Sequence, residues 1–171
     1  KPSLDHPTKI SYRDIKPQML QSGIRFVSIE PKLKEVSITE ADILVAVGRG
    51  LKKAEDLNLI EELAQSLGAM VAVTRPLVEL GWAPQTRQVG LSGRTVRPKL
   101  FIACGISGAI QHVAGMSSSD FIIAINKDKT APIFDTCHFG LVGDMYEILP
   151  LLIKELREVK TLVAESRWPN A

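Results

Sequence analysis

From about residue 41 onward, short unbroken apolar runs take turns with stretches whose apolar positions recur every three or four residues. The runs at 41–47 (Ala-Asp-Ile-Leu-Val-Ala-Val), 69–73, 100–104 and 121–125 read as strands buried on both faces, the mark of a parallel sheet. Between the first two, Leu57, Ile60, Leu63, Ala64 and Leu67 keep helical spacing, and Gly68 stands where a helix commonly ends. Pro76 opens a further helix through Leu77, Val78 and Leu80 to Gly81. A helical segment starts at Ala109 and runs out between Gly115 and Ser119. The last helix is predicted over 141–159, with Met145, Ile148, Leu149, Leu152, Ile153 and Leu156 on one stripe; Pro150 should kink it or mark its true start. Pro132 to Phe134 reads as a short last strand, and Ala83 to Pro98, which has no period, as a long loop of the kind that is usually functional or mobile. Strands alternating with helices make an α/β fold: three layers, with a parallel sheet flanked by helices.

Ahead of this pattern, Lys1 to Ser22 carries three of the ten prolines and no period, and 23–30 could form a short strand that Pro31 ends. The expected organisation is therefore a linker or arm over 1–35, one domain over 36–160, and a tail over 161–171 that docks elsewhere or frays. The start at Lys1, without Met, suggests a piece of a longer protein.

Composition narrows the classes. The 171 residues are 45% hydrophobic and 23% charged, ample for a buried core. A net charge of +2, with Lys and Arg dispersed among acids, offers no stripe for nucleic acid, and aromatics at 5% argue against a base-stacking surface. No apolar run is long enough to span a membrane, so no membrane insertion is expected. Two cysteines and histidines scattered at 6, 112 and 138 suit neither a disulfide framework nor a metal centre.

The chemistry collects where the strands end. After the strand at 100–104 come Gly105, Ile106, Ser107 and Gly108, then Ala109 and a helix start: a tight small-residue turn whose free N–H groups can cradle a phosphate. Gly and Ser after a strand are also ordinary turn residues. The spacing is neither the Gly-x-Gly-x-x-Gly dinucleotide fingerprint nor the Walker pattern. In an open parallel sheet, however, ligands bind outside the C-terminal strand ends. There this chain places Gly48-Arg49-Gly50, Thr74-Arg75, the 105–108 turn and Asn126-Lys127-Asp128. Glycines and arginines suit phosphates, and Asn126 or Asp128 suits ribose or adenine.

Gly-Ile-Ser-Gly-Ala-Ile-Gln-His at 105–112 with Gly115, and Ile-Ala-Ile-Asn-Lys-Asp at 123–128, closely resemble the signature of the electron transfer flavoprotein alpha subunit. The likeness extends through Ala41-Asp42, Gly48-Arg49-Gly50-Leu51, Gln88-Val89-Gly90, Ala131-Pro132-Ile133-Phe134 and Asp144, so it covers about 40–158. Phe101, where the family often has Tyr, is a mild departure, and Thr74 and Ser92 keep a hydroxyl where relatives often have Ser and Thr.

The resemblance implies a Rossmann-like FAD-binding domain. Arg49 and the turn from Gly105 through Ile106, Ser107 and Gly108 to Ala109 would hold the pyrophosphate region. Arg75, following Thr74, would lie against the isoalloxazine. Val89, Gly90 and Ser92 would line the ring, with the Ser92 hydroxyl near N5, and Gln88 would belong to the same cofactor site. Gln111 and His112 would approach its pyrimidine edge, and Asn126 and Asp144 would serve the adenosine end. Negative charge gathers near N1 and O2 when such a ring is reduced, so Arg75 and His112 should raise the one-electron potential. A joint contribution of roughly 2 kcal/mol corresponds to on the order of 90 mV.

The implied role is an electron carrier, not an enzyme with its own substrate. It would pair as a heterodimer with an electron transfer flavoprotein beta subunit and take electrons from acyl-CoA or other flavin dehydrogenases. It could also belong to a bifurcating complex. The setting would be cytoplasmic, or the mitochondrial matrix in a eukaryote. Two rivals remain at this stage. A nucleotide-dependent enzyme could use the same cradle for NAD, although no nucleophile or acid/base pair stands out. An interaction module that has lost its flavin would predict a damaged cradle.

Overall fold

A computed structural model describes residues 10–16, 27, 28 and 37–165. The chain divides into two units, Lys1–Lys34 and Glu35–Ala171. The strand expected over 23–30 lies outside the described residues except for Val27 and Ser28, which belong to no regular element, and 166–171 lie outside them as well.

Within the second unit, the elements are β1 (Ile43–Val47), α1 (Leu57–Leu67), β2 (Met70–Val73), α2 (Arg75–Glu79), β3 (Leu100–Cys104), α3 (Ile110–Val113), β4 (Phe121–Asn126), β5 (Phe139–Val142) and α4 (Met145–Glu165). The five strands form one sheet in the order β2-β1-β3-β4-β5, and every pairing is parallel. Val45 sits in register with Val71 on one side and Ile102 on the other, and Ile102 with Ile123. The four apolar runs are thus the four strands that share most of the core, as burial on both faces requires.

Alternation within each strand divides that core in two. Val45, Val47, Ile102 and Cys104 pack with Ile60 and Leu63 of α1 and with Leu149 and Ile153 of α4. Burial in this layer pushes the Cys104 thiol up to about 12, so it behaves as an apolar filler. On the opposite face, Leu44, Ala46, Phe101 and Ala103 meet Val89, Val96, Ile106, Met116 and Ile133, which come from loops and single turns. Among the described residues no long helix covers that face, and the loops that do cover it reach the sheet edge. Gly68 ends α1 in the left-handed conformation, its N–H returning to the carbonyls of Ala64 and Gln65.

Three expectations change. Pro132 to Phe134 is no strand: Pro132–Asp135 forms a 3-10 turn, and the fifth strand is Phe139–Val142. This edge strand is mostly exposed and forms by main-chain pairing with β4, so it leaves no apolar run to read. The last helix begins at Met145, not at 141, because Asp144 caps it: its Oδ1 accepts the Tyr146 N–H at 2.9 Å. Pro150 lies inside this helix and does not start it, and the helix runs past 160 to Glu165. The segment after Ala109 is a single turn, Ile110–Val113, so little helix dipole is available there.

Candidate functional site

Strand order sets the place. β2 lies on one side of β1 and β3 on the other, so the connections leaving β1 and β3 turn in opposite directions and open a crevice between them. A cavity of about 970 Å³ occupies that edge, lined by residues following β1, β2, β3 and β4 and by the start of α4.

The floor of the crevice is a backbone contact. Gly50 N–H donates to the Gly105 carbonyl at 2.9 Å, and Gly48 N–H to the Cys104 carbonyl at 3.1 Å. Gly105 has φ +58°, and a Cβ on it would lie 2.7 Å from Gly50 Cα. Only glycine allows the two loops this approach. Beyond it, the N–H groups from Ile106 to Gln111 meet no main-chain carbonyl among the described residues, and Ser107 and Ala109 are exposed. A run of donors of this kind can serve as a nest for an anion without drawing on a helix dipole.

Asn126 fastens the nest to β4. Its Nδ2 donates to the Ile106 carbonyl at 2.8 Å, while its Oδ1 accepts from Asp128 N–H at 3.0 Å. Asp128 in turn accepts from the N–H and hydroxyl of Thr130, and these bonds hold its carboxyl below the usual range. At the far end, Lys52 lies 4.0 Å from Asp144 and 4.4 Å from the Tyr146 ring centre. The Tyr146 hydroxyl donates to Asp56 at 2.6 Å and accepts from Lys52 N–H at 2.8 Å.

Arg75 reaches the cavity but is 66% exposed, and its Nε donates to the Glu79 carboxylate at 2.7 Å. An exposed, paired guanidinium is screened.

His112 is 7% exposed, with its Nδ1 3.1 Å from the Val89 carbonyl. This contact fixes the neutral tautomer as Nδ1–H and leaves Nε2 buried without a partner among the described residues. Burial lowers its pKa, and the bond to Val89 opposes that only in part. The unfolded imidazole protonates near 6.5 and the folded one at lower pH, so the unfolded state binds more protons in that interval. Stability is therefore expected to fall as pH drops through about 6.5 toward the folded value. Urea midpoints at pH 7.5 and 5.5 check this, and His112→Gln should narrow the difference.

Of the residues singled out from the sequence, Arg49, Thr74, Arg75, Gln88, Val89, Gly90, Ser92, Gly105, Ile106, Ser107, Ala109, Gln111, His112, Asn126 and Asp144 all line the cavity. Gly108 does not. Its φ is +90°, and a Cβ there would strike the Ile133 backbone, so it serves the close packing of the 132–135 turn. Lys127, in the strand-end motif at 126–128, lines the cavity too, as do Lys52 and Met145, which the sequence does not single out for the site. Lys52 lies just beyond the motif at 48–51, within reach of the same rule, and Met145 is concealed in the helix stripe.

Residues 37–117 match the model of the electron transfer flavoprotein FAD-binding domain. The lactate dehydrogenase (NAD(+),ferredoxin) subunit LctC of Acetobacterium woodii is 52% identical over 84% of this chain and 34% of its own length. The electron transfer flavoprotein subunit alpha of Thermoanaerobacterium thermosaccharolyticum is 48% identical over 86% of this chain and 44% of its own. Protein FixB of Azotobacter vinelandii is 46% identical over 87% and 41%. The chain spans less than half the length of these relatives. With a parallel α/β sheet, a cavity at its switch point and these likenesses, residues 37–117 are those of an electron transfer flavoprotein FAD-binding domain, and the chain resembles alpha subunits of that kind over most of its length.

Proposed function

We propose that the cavity holds FAD and that the chain acts as the flavin-carrying part of an alpha-type electron transfer subunit. In that role it takes reducing equivalents from flavin dehydrogenases and passes them on, with a beta-type subunit as its partner. The observation that carries this reading is the convergence on one sheet edge of an anion nest, several cations and a buried imidazole with an unpaired nitrogen. At about 970 Å³ the cavity lies at the upper end of small-molecule sites, as a dinucleotide requires. When bound, FAD supplies redox chemistry in one- or two-electron steps.

Each residue then has a task. The 106–111 N–H groups and Arg49 bind the pyrophosphate. Arg75, Val89, Gly90 and Ser92 line the ring. Gln111 and His112 take its pyrimidine edge, with Nε2 the nitrogen left for the ligand. Asn126 and Asp144 serve the adenosine end. The name of the Acetobacterium relative includes both NAD(+) and ferredoxin, and that of an Anaerotignum propionicum relative describes an acryloyl-CoA reductase electron transfer subunit. Both names support work as one subunit of a larger complex, and the first, with its two electron carriers, supports a place in a bifurcating one. Among the described residues, no helix is long and apolar enough to cross a membrane. A compartment shared with soluble dehydrogenases, the cytoplasm or the mitochondrial matrix, follows from the role.

Denaturing the intact complex should release at least one FAD per copy of this chain. A Ser107→Glu variant, which sets a carboxylate in the nest, should release one fewer. Release of a nicotinamide nucleotide in place of flavin, or a flavin count untouched by Ser107→Glu, overturns the reading.

A further inference from the structure

The loop that follows α2 is pinned more firmly than a surface connection needs to be. Val89 N–H donates to the Val73 carbonyl at 3.0 Å, tying the loop to the end of β2. Gln88 N–H donates to Gln85, Arg94 N–H donates back to the Gln88 carbonyl at 2.7 Å, and Gly90 N–H donates to Arg94 at 3.1 Å. A Cβ on Gly93 would strike the Gln88 carbonyl, so the loop doubles back directly over this residue. The Gln88 side chain is held inside at 4% exposure.

A buried amide needs a partner. Gln88 Nε2 donates to Ser92 Oγ at 2.9 Å, and both residues line the cavity. A serine hydroxyl has one proton and two lone pairs. Gln88 occupies a lone pair and, as the donor, cannot take the proton. We propose that Gln88 is a positioning residue that, by occupying a lone pair of Ser92, leaves the serine proton free to be donated to a ligand acceptor in the cavity.

The choice of ligand rests on the FAD reading above. The oxidised flavin ring offers carbonyl oxygens and unprotonated nitrogens as acceptors, and a donor to them gains strength as the ring takes on negative charge. Ser92 held as a donor therefore favours the reduced form. Gln88→Glu reverses the bond: an ionised carboxylate only accepts, so it captures the serine proton and turns the lone pairs toward the ligand. Gln88→Met removes the bond with little change of length and adds no charge.

The test is the first midpoint potential of the intact, FAD-loaded complex. Gln88→Glu is expected to weaken reduction about tenfold, equivalent to about 59 mV for one electron. Gln88→Met should shift it in the same direction by less, and in a Ser92→Ala background Gln88→Met should shift it no further, while Gln88→Glu keeps only the direct effect of its charge. Where the buried carboxylate prevents folding, the Gln88→Met and Ser92→Ala pair decides. An unchanged potential in folded Gln88→Glu, or a Gln88→Met shift that persists without Ser92, overturns the inference while leaving the FAD reading intact. A wild-type complex without flavin overturns both.

Discussion

Gly105→Ala is expected to cost the fold at least ~3 kcal/mol and to empty the cavity of its ligand. Two penalties add. An alanine held at φ +58° carries about 1 kcal/mol of left-handed strain. Its Cβ would also lie 2.7 Å from Gly50 Cα and 3.0 Å from Met145 Sδ. The methionine can swing away, but the Gly50 backbone can move only by breaking its 2.9 Å bond to the Gly105 carbonyl. That movement separates the β1 and β3 loops and deforms the nest. Gly68→Ala is the control: its φ is +66°, but a Cβ there meets nothing within 4 Å, so only the strain of about 1 kcal/mol should appear. Thermal unfolding of the two variants gives the close approach by difference. Equal melting temperatures would show that the contact between the loops contributes nothing.

Asn126→Ala should lower ligand affinity by at least about tenfold while leaving most of the fold stable. The side chain bonds the Ile106 carbonyl and the Asp128 N–H, so its loss frees both strand-end turns at once. Asn126→Asp should do more damage. It keeps the acceptor for Asp128 but sets a carboxylate against the Ile106 carbonyl, close to the anion nest. Isothermal titration with FAD after flavin removal ranks the three proteins. Affinity retained by Asn126→Asp would rule out the clamp.

Legibility followed how local each cause was. The runs at 41–47, 69–73, 100–104 and 121–125 could be read because a central parallel strand is apolar on both faces. Their C-terminal ends could be read as a site because sheet geometry makes those ends neighbours. β5 escaped because an edge strand can form on main-chain bonds alone, and its residues are largely exposed. The packing role of Gly108 could not be read because its contact, Ile133, is distant in sequence, and a glycine in a phosphate turn looks the same whether or not it also meets backbone. The pairing of Arg75 with Glu79 was visible as an i,i+4 spacing, yet the spacing could not tell whether Arg75 faced the ligand, its neighbour or both.

The central pairing of the sheet joins Ile43 to Leu100 and Val47 to Cys104, strands separated by α1, β2, α2 and the long loop. Bringing them together closes a large loop before any contact rewards it, which makes this a late event in assembly. The same event seats Gly50 on Gly105. A nascent chain that stops short of β3 can build α1 on β1 and β2 but has no anion nest at all, so cofactor loading must wait until this half of the molecule has left the ribosome.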